Sequence, residues 1–280
     1  MKHLESNFEK LKLGCLMRSI QKENSEPKNI AIGSVSKELR YLQRQSEYTS
    51  EIERVLKELR LTTFLIAETK QSKINETVGI NKQEILLYYQ GIFLTLVHQI
   101  KDKIIQLVFL ITEETIPEKP ATEKNISVSN LLHKKKSVLE NIGIEDEIKQ
   151  WEQNSPTSKI AVALRKRTQY QHRVSGLRYD NDFLKLGFTD IVSQPQFREM
   201  LSDLGKQQIE KIKTESSERL FSSAEAKAKD TLAVIEENIE KISLALVNHF
   251  KLPISEKEVA DIVRNSEFGV SRNSVSGLEN

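Results

Sequence analysis

The stretch RKRTQYQHR, residues 165–173, gathers Arg165, Lys166, Arg167 and Arg173 around His172. A histidine titrates near neutrality, so it can take the proton from an RNA 2′-hydroxyl or return one to the departing 5′-oxygen. A guanidinium beside it can hold the charge that builds on the phosphorane, because its planar fork presents paired N–H donors. One helix can carry both tools, and the pair needs no metal. On a regular helix of about 100° per residue, Arg165 and His172 differ by about 20° around the axis and Arg167 and His172 by about 140°. Either arginine can partner the histidine, with Arg165 the better aligned. The competing reading is a solvated basic face, salt-bridged to the acidic remainder of the chain.

The charge is unevenly distributed. The 280 residues include 42 basic and 40 acidic side chains, a net of +2. Between Ser155 and Tyr179, however, stand Lys159, Arg165, Lys166, Arg167, Arg173 and Arg178 with no acid, leaving 36 basic against 40 acidic residues elsewhere, a net of −4. Positive charge is therefore concentrated around the candidate site, which suits a phosphate backbone better than the whole-chain balance does.

Most enzyme classes lose their usual signature: there is no glycine-rich phosphate loop, G-x-S-x-G, H-E-x-x-H or acidic calcium loop. No cofactor is expected. Cys15 is the single cysteine, so no intramolecular disulfide forms, and no Cys/His spacing suits a metal. A reducing cytoplasm is the expected location. Charges interrupt MKHLESNFEKLKLGC where a secretory leader would need an apolar run. The most apolar segment, ILLYYQGIFLTLVHQI (85–100), is uncharged for 16 residues, short of the roughly 20 that span a bilayer, and reads as a buried helix with no membrane role.

These residues need a helical frame. Only 10 Gly and 6 Pro among 29% charged and 38% hydrophobic residues predict an all-α chain with a substantial core. Apolar residues at three- and four-residue spacings predict a long amphipathic helix over 34–70, preceded by a loosely ordered segment. A connector at 76–83 leads to a core helix over 83–115, and IPEKPATEKN (116–125) reads as a loop. A helix over 127–143 closes at Gly143, and a short one follows in IEDEIKQWEQ. Ser155 as N-cap and Pro156 as first residue open the basic helix, and Gly176 stops it. Residues 177–196 read as a loop with a short extended piece, Pro195 can open another helix, and 196–250 reads as two helices broken near SSAEA (222–226). The helices around 84–115, 156–175 and 228–250 are expected to pack as the core. The Ser-rich tail is expected to be disordered.

Arg167-Thr168-Gln169-Tyr170-Gln171-His172, followed by Arg173, resembles the R-x4-6-H motif of the HEPN superfamily, although the family usually has Asn where Thr168 stands. The helix YYQGIFLTLVHQIKDKIIQLVFL, with Asp102 in its middle, resembles the family's aromatic-rich helix with one central acid. The resemblance covers roughly 83–250. It implies a HEPN-like helical bundle with long antiparallel helices, divided as an N-terminal helical extension (1–75), the HEPN-like domain (76–253) and a partly disordered tail (254–280). It further implies a metal-independent endoribonuclease of toxin or anti-phage defence type, working as a homodimer in which two motif helices form one cleft. Arg167, His172, Arg165 and Asp102 would be catalytic. Lys159, Lys166, Arg173 and Arg178 would line the RNA path, Tyr170 would stack on a splayed base, and an antitoxin or other regulatory protein could control the chain. The alternative is a non-catalytic module of the same fold that binds nucleotide, RNA or a protein partner.

Other polar residues have structural readings. A buried Asp102 would need an Arg or Lys partner. His98, four residues earlier, is expected to hydrogen-bond it. The run His133-Lys134-Lys135-Lys136 reads as a solvated surface, and Tyr88, Tyr89, Phe93 and Phe109 as core packing.

Overall fold

A computed structural model of the protein describes residues 6–25, 36–71, 81–113, 126–172 and 181–250, with side chains described in all of these except 167–172, 181–183 and 250. The described residues are all-α. The helices are α1 (Asn7–Ser25), α2 (Lys37–Glu68), α3 (Lys82–Ile111), α4 (Val128–Lys134), α5 (Lys136–Ile142), α6 (Glu145–Lys149), α7 (Lys159–His172), α8 (Asn181–Val192), α9 (Pro195–Arg198) and α10 (Asp203–Phe250). No helix among them is long and apolar enough to cross a membrane. The tail, Gly176 and the 116–125 loop lie outside the described residues.

The chain divides into two compact units. Among the described residues, the first contains those up to Arg54, those within 100–152 and those from Glu236 on; the second contains those within 55–99 and 153–235. The first unit is closed by a helix where the sequence predicts a loosely ordered segment. In α1, Phe8, Leu11 and Cys15 fall at helical spacing and are buried, with Lys10 and Lys12 interleaved so that the apolar stripe is hard to see. Ser6 accepts the Glu9 N–H, and the Glu240 carboxylate of α10 accepts the Asn7 N–H at 2.7 Å, so the helix start is capped from two directions. Lys12 pairs with Glu53 and Lys22 with Glu38. Phe8 and Leu11 line one small pocket with Ile52, Ile104 and Ile239, so α1 completes an apolar core shared with α2, α3 and α10.

Trp151 anchors the other side of this unit. Its indole is buried, and Nε1–H donates to the Asn238 Oδ1 at 2.6 Å while the Asn238 amide donates to the Glu147 carbonyl at 3.1 Å. Gly143 closes α5 with φ 74°, a left-handed position open to glycine, as the sequence predicts. The helix expected over 127–143 is in fact two, broken at Lys135. There the ammonium turns inward to Glu113 at 3.1 Å and lies over the Phe109 ring, so Lys135 is part of the packing while His133, Lys134 and Lys136 stay exposed. Tyr41 donates its phenol to the Leu110 carbonyl at 2.8 Å, and burial, aided by Glu113, pushes its pKa up.

Burial pushes the Cys15 thiol up from its ordinary 9.0 to about 12, partly offset by Arg18. The thiol should therefore resist an aromatic disulfide reagent at neutral pH until the chain is unfolded. Because the folded thiol ionises later than the unfolded one, this site adds no pH dependence below about 9 and favours unfolding as pH rises from 9 toward 12. Rapid stoichiometric labelling of the native protein would contradict this burial.

In the second unit Phe93, Leu96 and Val97 of α3 are buried, as are Ile160, Ala161 and Leu164 of α7 and Phe221, Ala224 and Ala228 of α10. Two expectations change here. Residues 181–192 form α8 instead of a loop, because burial of Leu186 and Thr189 on one helical face outweighs the β-branched and glycine signals. The expected break near 222–226 is absent, since α10 runs unbroken for 48 residues. Its Ala224 and Ala228 are buried helix formers at four-residue spacing, so the small residues mark a packing face. Pro195 does open a helix, although it lasts a single turn. Tyr88 is exposed, a correction to its reading as core, whereas Phe93 is buried.

Candidate functional site

α7 begins later than the sequence suggests. Ser158, not Ser155, is the capping residue: its Oγ accepts the Ala161 N–H at 3.2 Å and its carbonyl accepts the Val162 N–H at 3.0 Å. Pro156 and Thr157, expected inside the helix, lie instead with Ser155 in a connecting segment, 155–157, and Arg165 ties that segment down. One guanidinium nitrogen of Arg165, Nη1, donates to the Gln153 carbonyl at 2.6 Å and to the Ser155 carbonyl at 3.1 Å. Both are backbone groups that would otherwise need another donor.

The first half of α7 is fixed by the core, since Ile160, Ala161, Ala163 and Leu164 are all buried. Its midpoint is held by further polar contacts. The buried His98 ring places Nε2 3.2 Å from the Leu164 carbonyl, and because that oxygen only accepts, Nε2 carries the proton. The Gln153 side-chain amide donates to the same carbonyl at 3.4 Å. His98 and Gln153 thus both hold the midpoint of α7. The sequence marks His98 as a polar residue in an apolar run. Its partner lies 66 positions away and has no sequence signature.

Past Leu164 the helix turns polar: Arg165 is half-buried and Lys166 exposed. Arg167 and His172 lie on the last turns of α7, and Tyr170 lies between them; their side chains, like all of Arg173 and Arg178, fall outside the described residues. Lys159, at the start of the helix, is exposed and pairs with Asp230 of α10 at 2.8 Å. Its charge is partly answered within the chain.

Asp102 is exposed, with its carboxylate 3.3 Å from the Nζ of its neighbour Lys101. Contrary to the expectation from the sequence, burial therefore does not drive Asp102 onto a basic partner, because α3 turns this side chain to solvent. Among the described residues no three His, Cys, Asp or Glu side chains come together as a metal site. Comparison of the chain with known families, curated proteins and solved structures finds no match.

Arg165→Met is expected to release the Gln153 and Ser155 carbonyls and to lower stability by about 0.5–1.5 kcal/mol, the usual net contribution of a hydrogen bond where water can reach the freed oxygens. A thermal melt reads this directly. An unchanged melting temperature would show that the guanidinium does not hold the segment in solution.

Proposed function

We propose that the protein acts on RNA through the C-terminal half of α7, as a metal-independent, HEPN-like endoribonuclease of toxin or anti-phage defence type. What supports the reading is a helix whose first half is locked into the core and whose second half, RKRTQYQH, is basic and free of acids. A helix anchored at one end can position the residues of its other end for phosphoryl chemistry, and because Arg167 and His172 differ by about 140° around the axis, one cleft would draw on two copies of the helix. In this reading His172 moves the proton, Arg167 stabilises the phosphorane, and Lys166, Arg173 and Arg178 attract the backbone. Arg165 is assigned to positioning, because its guanidinium already serves two carbonyls. Two copies of the chain would bring their α7 helices to one cleft.

That engagement of Arg165, together with the exposure of Asp102, favours a second reading: a helical module of the same kind that binds RNA, nucleotide or a protein partner without cutting. Incubation of the wild type and of His172→Ala with total RNA in EDTA separates the two. Cleavage by the wild type alone supports the enzyme; RNA binding by both proteins with no cleavage supports the module.

A further inference from the structure

α8 is apolar on two opposite faces, yet the described residues cover only one of them. Leu186 and Thr189 point into the second unit and are buried, while Leu184, Phe188 and Ile191, at positions i, i+4 and i+7, form a stripe that is more than half exposed. A soluble amphipathic helix keeps its outer face polar, and one that is apolar all round is normally covered. Further exposed apolar side chains follow in the sequence. Hydrogen-bonded turns from Ser193 through Met200 lead past α9 into α10 and expose Phe197, Met200 and Leu204 a few residues away.

The exposed area is on the scale of an interface. These six side chains are 43% to 82% exposed. At about 200 Å² for a large apolar side chain they offer roughly 700 Å², more than the few hundred Å² that an ordinary monomer leaves bare and close to the ~800 Å² per partner of a standard complex. Charge selects the occupant. From 184 to 206 the chain carries Lys185, Arg198 and Lys206 against Asp190, Glu199 and Asp203, a net of zero. A polyanion or an anionic membrane gains no attraction from such a surface. A second copy facing it across a two-fold axis meets no net repulsion, since Asp190 and Asp203 are already paired with Lys213 and Lys206 of the same chain.

We propose that the face built by α8, α9 and the start of α10 is an isologous interface that joins two copies of this chain. It supplies the apolar area that the polar half of α7 lacks. It does not depend on RNA cleavage, so His172→Ala should associate like the wild type.

Sedimentation equilibrium of the full chain, from about 1 to 100 µM, tests this. The wild type should be a dimer across most of that range. Phe188→Asp combined with Met200→Asp should weaken association by at least about 100-fold, because two carboxylates would be buried at the centre of the contact. The helical circular dichroism should stay the same, since both side chains are exposed in the single chain. Should the charged pair fail to fold, Phe188→Ala with Met200→Ala should still weaken the dimer by about 10-fold. A wild type that stays monomeric at 100 µM overturns the proposal and leaves the face to a different protein or a membrane surface. A dimer indifferent to both variants overturns it as well, by locating the contact elsewhere.

Discussion

Replacing His172 by Ala is expected to lower the rate of RNA cleavage by about 10²- to 10⁴-fold, the usual contribution of a positioned general acid or base. The expectation depends on where the residue lies. The last turns of α7 come after the buried segment Ile160–Leu164, so loss of the imidazole should leave the anchoring half of the helix, and hence the fold, intact. Arg167→Lys should also be damaging, since an ammonium keeps the charge and loses the paired donors that fit a phosphorane. Arg165→Lys should act differently, through stability, because this arginine serves backbone carbonyls. Binding of RNA by all of these variants should weaken steeply with added salt, as backbone contacts release counterions. A His172→Ala protein that cuts at the wild-type rate would remove the histidine from the mechanism.

Trp151→Ala should be the most destabilising single change in the first unit. The substitution empties a fully buried indole site and leaves the Asn238 Oδ1 without its donor. Losses of this kind cost about 3–5 kcal/mol, which for a chain of this size corresponds to a melting temperature lower by roughly 6 to 20 °C. Asn238→Ala should cost less, about 1–3 kcal/mol, since it strands a buried N–H but creates a small cavity. The two effects should not add, because the side chains share one hydrogen bond. Thermal melts of the two single variants and the double variant measure the coupling. Full additivity would show that the indole and the amide do not act as a pair.

The long helices were legible in the sequence because apolar spacing extends over many turns: α2 and α3 begin and end within a few residues of the expected positions, and Gly143 closes α5 as its backbone freedom suggests. Errors arose where tertiary burial decided. The α1 stripe is interleaved with lysines, α8 carries glycine and β-branched residues, and the alanines of α10 resemble a weak point until packing gives them a use. The candidate site was legible only as a cluster of types. That Arg165 faces back onto the 153–155 backbone follows from the local path of a connecting segment, which no periodicity encodes. The orientation of His98 toward Leu164 and of Asp102 toward solvent depends on how α3 is rotated about its axis, and a helix apolar on most sides leaves that rotation open.

The most direct test of the central claim is incubation of the purified wild-type chain with RNA in excess EDTA, followed by analysis of the new ends. Cleavage that leaves 2′,3′-cyclic phosphates and free 5′-hydroxyls is expected, since the 2′-oxygen attacks phosphorus while the 5′-oxygen departs with a proton from an imidazole. No cleavage under any condition, or cleavage only when a divalent metal is supplied, would contradict it.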